Sequence, residues 1–491
     1  MFDHRFPAAS DHWNLSTAPI PSLQAAEAEV RSHSTELRRE LGIADLVLAQ
    51  ILIIIVPEFF GTAVKAGRSH VVLWLLAIVL FFIPLAFVVA HLNRLMPLEG
   101  GLYEWARLGF SDRVGFLTAW NVWLLQTVQV SQIALVTATY LSYAVPGAAW
   151  IASSPPVLVA ASVALIALMM VFARFGLRVG KWVSNAGSIF TILILAVLIL
   201  LPYVHAWRGS LPAYHPLPLI LPSMTLFSLS VFSKMTFGAL SGFETIAIFA
   251  GESRNPARNI SRSILVTAPL IALLYILGTS AILAFVSPDA IDVIGPVPQA
   301  LTRGFAMLGV SRLAGPFTSI VILLLLLNYL SSYTLYFSAN SRLPLVAGWD
   351  HLLPKWFTPL HPKYRTPVNS ILFMGAVALA ASVAVLVGAG NQESFTVLQT
   401  WAWTFYGLAY LAMFAIPLFS AKEKGLRPGR WLQLGSASGF SVTLLFVMLS
   451  ILPVISVASV WKYSLKIVLV VVAANCLGWI IYQAGQRKRV A

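Results

Sequence analysis

The chain has 491 residues, 58% hydrophobic and only 10% charged, with a net charge of +14. Soluble globular chains are about 45–50% apolar and about 25% charged, so this composition excludes one and describes an integral membrane protein seated in a lipid bilayer. The single cysteine, Cys476, excludes a disulfide framework and a cysteine-based metal site, and the positive charge is scattered between apolar runs, not gathered into a nucleic-acid-binding face.

Residues 1–40 read as a polar tail whose charged stretch, 25–40, suits a short surface helix. No long apolar core occurs there, so no cleavable signal peptide is expected. Twelve apolar spans follow, near 43–65, 71–96, 114–145, 155–174, 182–203, 222–250, 263–287, 314–340, 367–390, 394–420, 434–456 and 464–485. Each is long enough for a helix to cross about 30 Å of hydrocarbon.

Span 1 contains Val56-Pro57-Glu58-Phe59-Phe60-Gly61. Proline removes a backbone donor and glycine loosens the chain, so the helix should break here. Glu58 precedes Lys65 by seven residues, about 10 Å of helix, which leaves it within the hydrocarbon. It suits a substrate ammonium or a coupling proton; the alternative is a structural carboxylate near the interface.

In span 3, Gln126, Gln129 and Gln132 recur every third residue beside Thr127 and Ser131, on one helix face. Substrate contact and interhelical hydrogen bonding fit them equally. Span 6 places Ser241-Gly242-Phe243-Glu244 at mid-depth, where a glycine and a carboxylate are tolerated only against a protein cavity. Released backbone there binds the polar ends of a zwitterion or an ion. Glu244 is read as a partner for a basic group, a proton carrier or an anchor for the broken backbone. Lys234, nearer the end of that span, is expected to snorkel to the interface.

Span 8 carries Asn328, Ser331, Ser332 and Thr334, oxygen groups that suit sodium but also serve as helix glue. Span 10 carries Trp401, Trp403, Tyr406 and Tyr410, an aromatic stripe fit for core packing or for gating. His91, close to Arg94 at the end of span 2, reads as structural.

Most of the 32 Lys and Arg residues fall on one side if the N-terminus is cytoplasmic. The positive-inside rule then puts both termini inside, in the inner (plasma) membrane. Spans 1 and 6 are broken and lie five spans apart. Interrupted helices in corresponding places of two halves point to an inverted-repeat transporter. The repeats would cover about 43–203 and 222–420, within a core of 41–456 that includes span 11; 457–491 holds span 12 and a short tail. No nucleophile–base pair, phosphate loop, zinc spacing or nucleotide-binding domain is found, so no enzyme, cofactor, metal site or primary pump is expected.

Three segments resemble a known family. Gly242-Phe243-Glu244 with Gly251-Glu252-Ser253-Arg254-Asn255-Pro256-Ala257-Arg258, then Asn340-Ser341-Arg342-Leu343-Pro344 with Leu352-Leu353-Pro354-Lys355-Trp356-Phe357 and His361-Pro362-Lys363-Tyr364-Arg365-Thr366-Pro367, and Pro97-Leu98-Glu99-Gly100-Gly101-Leu102-Tyr103-Glu104-Trp105 resemble the loops of the amino acid/polyamine/organocation (APC) permeases. The resemblance implies an all-α membrane fold of twelve transmembrane helices, a five-plus-five (LeuT-like) inverted-repeat core with helices 1 and 6 broken, and alternating access.

Span 1 departs from that family, whose glycine-rich stretch is absent here; a glutamate in this place is similar to the polyamine-uptake and glutamate/GABA-antiporter branches. The lysine that replaces sodium in some proton-coupled members aligns with Thr191. The expected function is secondary transport of amino acids or related amines; a polyamine or organic-cation carrier, or a non-transporting sensor, is the alternative. Substrate would meet Val56, Pro57, Glu58, Gly61, Gln129, Gln132, Ser241, Gly242, Phe243 and Glu244. A coupling ion, proton or sodium, or a counter-substrate would drive it, with Ser331, Ser332 and Thr191 as candidate ion ligands.

Overall fold

The computed structural model describes residues 42–95, 101–175, 181–211, 214–245, 256–308, 314–346, 355–357, 359–364, 366–386, 390–420 and 428–490. The tail with its expected surface helix lies outside them, as do 97–100, 251–255, 352–354 and 365 of the loop motifs. Every regular element among the described residues is helical. Eleven helices are long and apolar enough to cross a bilayer. The pair Ile43–Ile54 and Glu58–Val64, bent by 58° and counted as one span, brings the number to twelve.

The spans depart from straight helices where their sequences demand it. Span 2 runs from His70 to Leu95 through a π-helical turn at Ile78–Phe82, just before Pro84. Span 10, Asn391–Ala415, passes into another at Ile416–Ser420, which contains Pro417. A proline clashes with the carbonyl four residues back, and a wider turn relieves the clash. Span 3 divides at Ser131-Gln132 into Asp112–Val130 and Ile133–Ala144.

Burial orders the spans into layers. The apolar windows of spans 3 and 6 are each 78% buried by protein, whereas that of span 12 (Val460–Val490) is 11% buried. Spans 3 and 6 therefore form the centre, and span 12 turns most of its surface outward. It is nonetheless tied in: Trp120 Nε1 donates to the Ala474 carbonyl at 2.9 Å, Asn121 Nδ2 to Asn475 Oδ1 at 2.8 Å, and Lys466 pairs with Glu393 at 3.4 Å.

Span 1 is held on all sides. In its first half, Gln50 Nε2 donates to Ser263 Oγ of span 7 at 2.7 Å, and Ser188 Oγ of span 5 donates to the Leu48 carbonyl at 2.7 Å. In its second half the Phe59 ring fills the space where a side chain on Gly238 would be: a Cβ there would stand 1.9 Å from Phe59 Cε1. Phe59 then meets Trp403 edge-on, with ring centroids 5.0 Å apart.

Lys234 does not snorkel. It is 7% exposed and donates from Nζ to the Leu452 carbonyl, in the link between spans 11 and 12. From its place nine residues into the Leu226–Leu240 helix, the stem carries the amine to that carbonyl instead of to solvent.

Candidate functional site

A central cavity opens between spans 1, 3, 5, 6, 8 and 10. Span 1 contributes its break, Ile55, Val56 and Pro57, and span 6 contributes Ser241 and Gly242, where its Leu226–Leu240 helix ends. The rest of its polar wall is Gln126, Gln129, Thr191, Thr245, Asn328 and Ser332, with Tyr329, Tyr333, Tyr336, Trp403 and Tyr406 as aromatic wall.

Each break is closed by a tyrosine. In span 1 the helix stops at Ile54, which strands the Ile54 carbonyl and the Val56 amide. Tyr275 of span 7 serves both: its hydroxyl donates to the Ile54 carbonyl at 2.9 Å and accepts from the Val56 amide at 3.0 Å. The chain then restarts through tight turns, Phe59 N to Val56 O at 3.1 Å and Phe60 N to Pro57 O at 3.2 Å. In span 6 the helix stops at Leu240. The Gly242 amide donates to the Tyr410 hydroxyl of span 10 at 2.7 Å, and that hydroxyl donates onward to Glu244 Oε2. Tyr406 donates to Glu244 Oε1.

Gly242 takes φ +123°, a conformation that side chains rarely adopt, and a Cβ there would lie 3.1 Å from Ile54 Cγ1. The end of the span 6 helix thus packs directly on the break in span 1. The continuation of span 6 beyond Thr245 lies outside the described residues.

The candidate site residues separate into two groups. Val56, Pro57, Gln129, Ser241 and Gly242 line the cavity, as do Thr191 and Ser332. The others are placed differently. Gly61 is a packing site, since a Cβ there would stand 3.1 Å from the Val293 Cα and 3.4 Å from the Pro296 side chain. Phe243 is fully buried and stacked on Phe82 at 4.9 Å. Gln132 is buried at the turn where span 3 restarts, so the helical face expected to carry all three glutamines ends before it; Gln126 and Gln129 are the pair that reach the cavity. Glu244 is held by tyrosine hydroxyls, one of which also carries the span 6 backbone. Glu58 is 1% exposed and lies behind the cavity wall.

Ser331 lies outside the cavity and its hydroxyl donates to the Leu327 carbonyl at 2.8 Å. Ser332 donates to the Asn328 carbonyl at 3.0 Å. Such back-bonding is the ordinary use of a hydroxyl in an apolar helix. Asn328 Nδ2 donates to Thr191 Oγ1 at 3.1 Å, and its Oδ1 occupies the space a side chain at Gly187 would need. Spans 5 and 8 are therefore joined by an amide across the place proposed for an ion. Among the described residues no group of three His, Cys, Asp or Glu side chains is arranged to hold a metal.

Tyr275, Tyr329 and Tyr333 were not singled out from sequence. The signal was present, because a tyrosine inside an apolar span carries a hydroxyl that burial obliges it to satisfy.

A helical bundle with its cavity between the break of span 1 and the end of the described span 6 helix fits a transporter, and the comparisons agree. The family model described as "Amino acid permease" matches residues 45–474. The chain belongs to that family and is a multi-pass membrane transporter, not an enzyme. An uncharacterized transporter of Legionella pneumophila is 28% identical over 393 residues, covering 80% of this chain and 83% of that protein. The probable agmatine/putrescine antiporter of Lactococcus lactis is 23% identical, covering 79% of this chain and 80% of its own. The crystal structure of MhsT in complex with L-phenylalanine superposes with a TM-score of 0.57 at 15% identity, over 84% of this chain and 98% of MhsT. That likeness carries the fold alone.

Proposed function

We propose that this protein moves amino acids or related amines across the cytoplasmic (inner) membrane by alternating access through the central cavity. The observation that carries the reading is the meeting of the two breaks: Val56 and Pro57 face Ser241 and Gly242 across one space, and a side chain on Gly242 would touch Ile54. Interrupted helices of this kind present backbone groups to the polar ends of a small substrate. Gln126 and Gln129 supply amide donors and acceptors, and Trp403 and Tyr406 supply an apolar wall.

Residues 43–203 and 222–420 form the two repeats in this reading, with both termini cytoplasmic. Spans 1, 2, 6 and 7 rock against the remainder. Accumulation is driven by a proton, by sodium or by a counter-substrate. The Lactococcus antiporter, whose name gives two amines, supports amine substrates alongside amino acids.

The test is uptake into proteoliposomes of a labelled panel of amino acids and aliphatic amines, with imposed proton or sodium gradients or preloaded substrate. Saturable uptake of at least one member is expected. Folded protein that gives binding without flux would point to a sensor, and the transport reading would fall.

A further inference from the structure

A second cavity, of about 220 Å³, lies apart from the central one, where the turn between spans 1 and 2 meets the start of span 6. Leu73 and Val231, both buried in the bundle, and the half-exposed Phe227 supply the apolar part of its lining. Lys65, Ser69 and Ser223 supply free polar groups. Lys65 donates one of its three N–H groups to the Pro288 carbonyl at 2.8 Å, and no described carboxylate forms an ion pair with it. The Ser69 and Ser223 hydroxyls bond to no other described side chain or backbone group. Thr225 and Ser228 also line the space, but their hydroxyls are taken up in capping the Leu226–Leu240 helix. No Asp or Glu lines the cavity. An ammonium group with N–H groups still to donate, two open hydroxyls and no acid is the chemistry that holds an anionic oxygen group such as a phosphate.

The chain leading into this cavity points to where that phosphate comes from. Residues 214–225 run without regular structure into span 6. Leu221 and Met224 are 82% and 80% exposed, with Leu219 and Phe227 exposed beside them. No Lys, Arg, Asp or Glu occurs between Arg208 and Lys234. Continuous apolar surface of this kind marks a membrane-facing or protein-binding face, and position decides between the two. The membrane-spanning helices of spans 2 and 6 begin at Gly67 and Leu226, so cavity and strap both stand at the boundary between hydrocarbon and headgroups. Trp207, exposed at the end of span 5, marks the same boundary. Pro216, Pro218 and Pro222 remove backbone donors that this boundary would leave without partners.

We propose that the cavity binds an anionic phospholipid of the surrounding leaflet. Lys65, Ser69 and Ser223 hold its phosphate, and its acyl chains lie along Leu219, Leu221, Met224 and Phe227. Basic pockets between membrane helices recognise lipid headgroups in this way. The bound lipid bridges the end of span 1 and the start of span 6. The proposal goes beyond the transport reading and does not depend on what is carried.

The experiment is binding of pyrene-labelled phosphatidylglycerol to the full-length, delipidated protein in detergent, read as energy transfer from tryptophan. Unlabelled phosphatidylglycerol, phosphatidylcholine and inorganic phosphate are the competitors. Lys65→Gln, Arg68→Gln and Ala66→Phe are compared with the parent, each with its melting temperature recorded without lipid. Saturable binding is expected, with phosphatidylglycerol displacing the probe about tenfold more tightly than phosphatidylcholine, the worth of one charge-assisted contact. Lys65→Gln should weaken binding by about as much. Ala66→Phe, which fills the cavity without changing its charge, should weaken it too, and it carries the test if Lys65→Gln fails to fold. Arg68→Gln, on the same turn but outside the lining, should retain most of the affinity.

Non-saturable uptake of the probe overturns the proposal, as does equal displacement by the two lipids. Equal weakening in Lys65→Gln and Arg68→Gln marks diffuse attraction to a basic turn and also overturns it. So does full affinity in folded Ala66→Phe, which places the lipid elsewhere. Displacement by millimolar inorganic phosphate overturns the lipid assignment and makes the ligand a free anion.

Discussion

Tyr275 and Tyr410 perform the same operation at the break of span 1 and at the end of the span 6 helix. Each places one buried hydroxyl on backbone that a helix interruption has exposed, Tyr275 between the Ile54 carbonyl and the Val56 amide, Tyr410 on the Gly242 amide. They differ in where they stand. In the proposed rocking motion Tyr275, on span 7, travels with the break it closes, whereas Tyr410, on span 10, belongs to the part that stays.

That difference separates two variants. Tyr275→Phe leaves a buried carbonyl and amide unsatisfied, at about 1–3 kcal/mol for each lost partner. It is expected to lower the melting temperature in detergent by several degrees. Tyr410→Phe frees the Gly242 amide and one Glu244 oxygen while Tyr406 still holds the other. It too is expected to lower the melting temperature, because two buried groups lose their partner, and it should in addition change the substrate exchange rate measured in proteoliposomes.

The close approach at Gly238 makes a second prediction. Gly238→Ala drives a methyl into the Phe59 ring, and overpacking of this kind costs about 1–3 kcal/mol. Phe59→Leu alone loses aromatic packing on Trp403. Combined, the smaller side chain makes room for the methyl, so the double variant should be more stable than the sum of the singles by about 0.5 kcal/mol or more. Thermal melts of the four proteins measure this, and simple additivity would refute it.

Gly242→Ala is expected to be worse than its size suggests. A backbone at φ +123° costs a non-glycine residue about 1–3 kcal/mol, and the new methyl also meets Ile54 at 3.1 Å. Uptake should be lost or sharply reduced. Wild-type uptake by this variant would mean that the span 6 break takes another form during transport.

The span 3 glutamines divide by position. Gln129→Ala should raise the apparent KM for transported substrate with little change in melting, because Gln129 faces the cavity. Gln132→Ala should do the reverse, since Gln132 is packed at the restart of the helix. Uptake kinetics paired with melting curves on both variants would decide it.

Much of the architecture was legible because membrane helices obey a coarse rule. Apolar length alone marks the spans, and a proline or glycine beside a carboxylate at mid-depth marks the break of span 1 and the end of the span 6 helix. The finer placement was not legible. Gly61 and Gly242 look alike in sequence, yet one meets Val293 and Pro296 while the other lines the cavity. Gln132 follows the spacing of Gln126 and Gln129, but the helix is interrupted between them, and three-residue periodicity is informative only while the helix continues. Glu58 and Glu244 are both buried acids; only the neighbours supplied by a distant span show that Tyr406 and Tyr410 hold Glu244.

Among the described residues no acid pairs with Lys234, whose Nζ donates to the carbonyl of Leu452. That carbonyl belongs to the link between the last two spans, outside the proposed repeats. A chain cut after span 10 would take away the acceptor of the Lys234 amine, so the final helices, outside the proposed repeats, complete the polar contacts of a residue within them.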